Sequence, residues 1–211
     1  MFLKDAQING KAALINKQLD DRMSKGAKTL EIQLLDEIQA EKDIDLSLID
    51  NVDISAVHMP LINGEDYNIE DVEGRKIFKK VCALSSQIAN IKNHNIIVVV
   101  HTSTPPFILD KLGILYDVIL VVREMLASYT NIEIAIENCT LYNFVNKQGL
   151  LHRQNATYIQ DGKIKMANVE LAKMISHQRC GVCFDTCHAL MTETHLMNDN
   201  KLFENYVKKM I

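Results

Sequence analysis

The feature that most constrains this chain is a succession of short apolar runs, each followed by a longer segment of helical period. The runs are TLEIQLL (29–35), ISAVHMP (54–60), NIIVVVHT (95–102), IEIAIENC (132–139) and CGVCFDT (180–186). Most are apolar on both faces, the pattern of parallel strands covered by helices on one side and by a core on the other. Between them, NIEDVEGRKIFKKVCALSSQIANIKNH opens at the cap candidate Asn68, carries acids in its first turn, and spaces Val72, Ile77, Val81, Leu84 and Ile88 into one apolar stripe. LDKLGILYDVILVVREMLASYT has the same character, NVELAKMISHQ (168–178) is a shorter helix, and KLFENYVKKM closes the chain. MFLKDAQI reads as a weak strand ahead of a helix over roughly residues 10–25.

A β-α-β-α order with right-handed crossovers means a parallel α/β sheet. No glycine-rich loop follows the first strand, so an open nucleotide-binding sheet lacks its usual phosphate cradle. A closed barrel instead requires polar functional residues at the C-terminal ends of several strands. Four runs end that way: His58 closes ISAVH, His101 closes IIVVVH, Glu137 closes IEIAIE and Asp185 closes CGVCFD. Alternation places Ala56 on the face of His58 and Ala135 on the face of Glu137, with Val57, Ile134, Ile136, Val182 and Phe184 opposite, under the helices. His188 follows Asp185 and can turn back over the same mouth.

One histidine at a strand end is unremarkable, whereas buried carboxylates at Glu137 and Asp185 each need a cation or donors. Imidazole nitrogens together with carboxylate oxygens are the ligand set of zinc, manganese, cobalt or a similar divalent ion. Cys180 and Cys183 form a C-x₂-C pair, but they point to opposite faces of a strand and have no second pair, so with Cys187 they read as core or loop thiols. His94 and His177 end helices, where a cation suits the terminus. HRQNATYIQDGK (152–163) is a polar excursion, a hairpin turning at Asp161-Gly162, whose Arg153, Lys163 and Lys165 can meet a phosphate or simply face solvent.

Bulk properties narrow the partners. The 211 residues carry a net charge of −4, so no overall basic field draws nucleic acid or an acidic membrane. Five cysteines without a secretory leader indicate reduced thiols and a cytoplasmic location, and the apolar runs are too short to cross a bilayer.

From about Thr29 to Leu190 the chain resembles the xylose isomerase-like TIM barrels, which include endonuclease IV and many sugar isomerases and epimerases. The likeness rests on VHMPL, VVVHTS, IAIENC and VCFDTCHAL in that order, and DTCHA is close to the endonuclease IV form. It implies a (β/α)₈-type barrel forming a single domain over residues 1–211, with about six β/α units and no recognisable strands 7 and 8. HLMND (195–199) resembles a seventh-strand motif, but it follows His188 too closely for a crossover helix and reads as a capping loop. A shortened barrel is then a fragment, a form completed by another chain such as a homo-oligomer partner, or a degenerate member.

In the endonuclease IV branch the likeness implies His58, His101 and Glu137 as ligands of one zinc, Glu137 and Asp185 at a second, and His188 at a third. In the epimerase branch it implies Glu137 and Asp185 on one divalent ion and His188 on substrate hydroxyls, with Glu137 transferring a proton next to a carbonyl. The leading expectation is therefore a divalent-metal sugar or sugar-phosphate isomerase or epimerase with Glu137 and His188 as catalytic residues. The alternatives are a zinc-dependent abasic-site phosphodiesterase acting on DNA and a non-catalytic degenerate barrel.

Overall fold

The computed structural model describes residues 9–13, 16–34, 46–62, 65–102, 104–138, 144–145, 151–152, 157–160 and 163–185. Six strands form one sheet: β1 (Asn9–Ala13), β2 (Thr29–Gln33), β3 (Ile54–His58), β4 (Ile96–His101), β5 (Ile132–Glu137) and β6 (Cys180–Cys183). They lie in the order of the chain and every neighbouring pair is parallel. Each crossover therefore steps in the same direction, which is the winding of a barrel; a doubly wound sheet reverses its order at a switch point. Among the described residues β1 and β6 do not pair with each other, so the sheet is a six-stranded arc of a barrel.

The helices are α1 (Asn16–Ser24), α2 (Val72–Lys92), α3 (Pro106–Lys111), α4 (Leu115–Ser128) and α5 (Ala167–Ile175). A core lies between them and the outer face of the sheet, where Leu30, Ile32, Val57, Val98, Val100, Ile134 and Ile136 are buried. Helix α2 supplies Ile77, Phe78, Val81 and Ile88 to it, at the three-to-four-residue spacing of one stripe. Each such side chain contributes about 1.5–3 kcal/mol through burial. The helix stops at Asn93, whose left-handed backbone (φ 57°) terminates the hydrogen-bond ladder.

Several expectations need correction. The N-terminal strand is Asn9–Ala13 and the helix behind it starts only at Asn16; NGKAA has little strand propensity, and parallel pairing with β2 decides its conformation. Asp71, not Asn68, occupies the N-cap of α2, and Val72 is 64% exposed because it opens the first turn instead of extending the stripe. The segment after Pro105 is two helices, divided at Gly113, whose φ of +74° suits a residue without a Cβ. Val182 and Phe184 are 49% and 46% exposed, so the outer face of the last strand is not packed as alternation suggested. The hairpin is as expected: Thr157–Gln160 and Lys163–Met166 pair antiparallel on either side of Asp161-Gly162. The closing helix KLFENYVKKM, HLMND, Cys187 and His188 lie outside the described residues. No helix among the described residues is long and apolar enough to cross a membrane.

A candidate metal centre at the strand ends

Alternation and register carry the polar residues to the inner face of the sheet. Gln33, His58, Val99, Ala135 and Gly181 are successive partners across β2 to β6, and His101, Glu137 and Cys183 form the next row towards the strand C-termini. Residues two apart on a strand share a face, so Ala56 lies below His58 and Ala135 below Glu137. This inner face departs from the apolar outer one, and its small residues leave room for the rings above.

His58, His101 and Glu137 converge there, and they are 2%, 4% and 4% exposed. His58 Nε2 lies 2.9 Å from Glu137 Oε2, and His101 Nε2 lies 2.7 Å from the same oxygen. The two rings meet edge to face, 4.8 Å between centroids and 68° between planes. Each of the three residues offers a ligand atom, and these atoms all lie within 4.8 Å of one another. Burial by itself raises the pKa of the Glu137 carboxyl. The hydrogen bonds and charges of His101 and His58 outweigh that effect and hold the group well below its ordinary 4.5.

The donor chemistry fits a cation. His58 Nδ1 lies 2.8 Å from Met59 O, and a carbonyl only accepts, so Nδ1 carries the hydrogen. The outer nitrogen of the ring is thereby fixed and Nε2 is directed at the shared carboxylate, the arrangement that orients a metal-binding histidine. Gln33 Nε2 donates to the same Met59 carbonyl at 2.9 Å, so the carbonyl that holds His58 is itself held. Two imidazoles and a carboxylate match the three-protein-ligand set of catalytic zinc sites, where bonds are about 2.0–2.2 Å long.

Asp185 follows β6 and is half-buried, but its carboxylate is not part of this cluster. Its backbone is clasped by Asn138: the Asp185 N–H donates to Asn138 Oδ1 at 2.5 Å, and Asn138 Nδ2 donates to Asp185 O at 3.1 Å. Asp185 nevertheless borders the site. Burial first, then the negative fields of Glu137, Glu31 and Asp185, push the Cys183 thiol up to about 12. Asn138, Gln33 and the buried acid Glu70 were not singled out from the sequence. Gln33 carries a usable signal, since it ends β2 on the same face as Glu31, whereas Asn138 gains its role only through contact with a strand end more than forty residues away.

No protein-family model and no curated protein sequence matches the chain. Solved structures do match its fold. One is the crystal structure of AP endonuclease, family 2 from Brucella melitensis, with a TM-score of 0.55 and 13% identity over 93% of this chain and 77% of that one. Another, described as the crystal structure of AsfvAP:AG, gives a TM-score of 0.52 and 12% identity over 98% of this chain and 70% of that one. The sequential parallel sheet with its alternating helices is thus the α/β fold of these structures.

Proposed function

We propose that His58, His101 and Glu137 hold a divalent cation, zinc foremost, and that the chain is a metal-dependent phosphodiesterase of the AP endonuclease type. The observation that carries this reading is the convergence of two imidazole Nε2 atoms on one buried oxygen of Glu137. The epimerase branch does not call for two histidines on Glu137, whereas here His58 and His101 both face its carboxylate and complete a three-ligand set with it. When bound, such an ion supplies Lewis acidity and lowers the pKa of a coordinated water. The chain's own residues do the rest: Met59 O takes the Nδ1 hydrogen of His58 so that Nε2 faces Glu137, which stays ionised between its histidines. Asp185, and His188 outside the described residues, are carried as candidates for further ligands.

The isomerase or epimerase reading keeps one supporting observation, the net charge of −4, which gives no general attraction for a polyanion. The test is elemental analysis of purified protein, with Glu137→Gln and Asp185→Asn variants, followed by incubation with a duplex bearing a single abasic site. Zinc at about one equivalent or more, lost on Glu137→Gln, together with strand incision that a chelator abolishes, is the expected result. Metal without incision, with interconversion of an aldose and a ketose, would transfer the assignment to the isomerase. Absence of metal after reconstitution would sink both.

A further inference from the structure

His101 sits where the sheet would otherwise lose its pairing. Strand β3 accompanies β4 only as far as His58, which is paired with Val99, and the chain then turns away through Pro60. Two residues further along β4, the neighbour of His101 on that side is Asn68, through an isolated parallel bridge. The segment that makes this bridge continues to Glu70, a carboxyl group that is 7% exposed. Its Oε1 accepts the Thr102 hydroxyl at 2.6 Å and the Thr104 backbone N–H at 3.0 Å. Thr102 is fully buried and follows His101 directly.

The same short segment thus touches the histidine's strand twice, beside His101 through Asn68 and just beyond it through Glu70. The segment is in turn locked to α2. Arg75 donates to the carbonyls of Ile69 and Glu70 at 3.2 and 2.7 Å. Gly74 lets the first turn approach so closely that a Cβ there would lie 1.8 Å from Asn68 O.

We infer that Glu70 is a positioning residue for the metal centre: its buried carboxyl fixes the chain after His101 and so aims the His101 ring at Glu137. This rests on the metal-site reading above for its functional consequence, but not for its geometric one. A surface loop has no need of a buried acid, and leaving a carboxyl group away from water is costly unless its hydrogen bonds matter to the fold around it. Here those bonds go to Thr102 and Thr104, the first and third residues after His101, where β4 ends. Partners that orient a metal-binding histidine typically govern affinity by about 10–100-fold. Glu70 acts at one remove, through the backbone, and never on the ion.

The experiment compares wild type with Glu70→Ala and Glu70→Gln in the full chain. The glutamine keeps an acceptor oxygen at the same reach, so it rescues if acceptance is what counts. In metal-free protein, the His101 ring ¹⁵N and ¹H resonances are expected to move in Glu70→Ala and to return close to wild type in Glu70→Gln, with the distant His94 unchanged in both. Zinc affinity, measured by competition with a chromophoric chelator, is expected to fall by about tenfold or more in Glu70→Ala. Wild-type His101 resonances in Glu70→Ala would overturn the inference, and so would a Glu70→Gln protein as perturbed as the alanine variant. If wild type itself bound no zinc, the metal-site reading would fall while the resonances still decided the positioning role. Should Glu70→Ala not fold, Thr102→Val removes one of the two donors alone, and unmoved His101 resonances in that variant would equally overturn the inference.

Discussion

At the residue scale the chemistry of the site depends on one oxygen shared by two rings. Glu137→Gln keeps the shape but removes the charge that both histidines face, and zinc affinity is expected to drop by at least about tenfold in a chelator competition. Because the Glu137 pKa lies below its ordinary 4.5 in the fold, its contribution to stability is present above that pH and is lost as pH falls through the lower folded value. Denaturant titrations of wild type and Glu137→Gln from pH 7 downwards should therefore converge only below pH 4.5. Cys183 is held protonated by burial and by the surrounding carboxylates, with its pKa at about 12. Since the thiolate is the nucleophile, its alkylation by iodoacetamide at pH 8 is expected to be at least about 100-fold slower than that of a solvent-exposed cysteine. Peptide mass mapping of a timed reaction checks this.

At the scale of elements, the ends of helices decide how the sheet is held. Arg179, just ahead of β6, donates to the carbonyls of Leu126, Tyr129 and Ile132, joining the end of α4 to the start of β5. Arg123 does the same for the last carbonyls of α5, reaching Ile175 and Met174. Helix carbonyls left without intrahelical partners are satisfied here by guanidinium groups, which also suit the negative helix end. Arg179→Ala is expected to cost about 2–3 kcal/mol in a denaturant titration, with no change in zinc affinity. Gly74→Ala places a methyl group against the Asn68 backbone carbonyl and has no flexible neighbour to displace. A loss of about 2–4 kcal/mol is expected, together with weaker zinc binding because Asn68 borders His101. The pair of effects separates this glycine from Arg179, whose loss acts on stability alone.

At the scale of the molecule, a parallel arc whose inner face carries histidines and acids gains stability from whatever ion it binds. Zinc at 100 times its dissociation constant should stabilise the fold by about 2.7 kcal/mol, read as a higher Tm that EDTA reverses and Glu137→Gln abolishes. At the opposite end of the strands, His94 pairs with Asp53 at 3.0 Å. The Asn95 carbonyl, then Asp53, raises its pKa above the ordinary 6.5. That contribution is fully present below pH 6.5 and disappears as pH rises through the folded value; the pair is largely exposed, so its magnitude is below about 1 kcal/mol. The stability difference between wild type and Asp53→Asn should accordingly shrink from pH 6 to pH 9.

What the amino-acid order determined by itself was everything encoded over a few neighbouring residues. The period-two pattern of ISAVH and IEIAIE set which face His58 and Glu137 share with Ala56 and Ala135, and the alternation of runs set a parallel α/β fold with polar residues at the strand ends. Strands at the edge and segments held by contact were not legible in this way. NGKAA becomes a strand because β2 offers it a partner, and Asn68 bridges His101 while Asp71 takes the helix cap. Only the tertiary structure decided that two histidines from different strands meet on one oxygen while Asp185, two residues past the end of its strand, stays outside the cluster. The reason is physical: alternation fixes the direction of a side chain relative to its own strand, but the distance between side chains on different strands is set by register and twist.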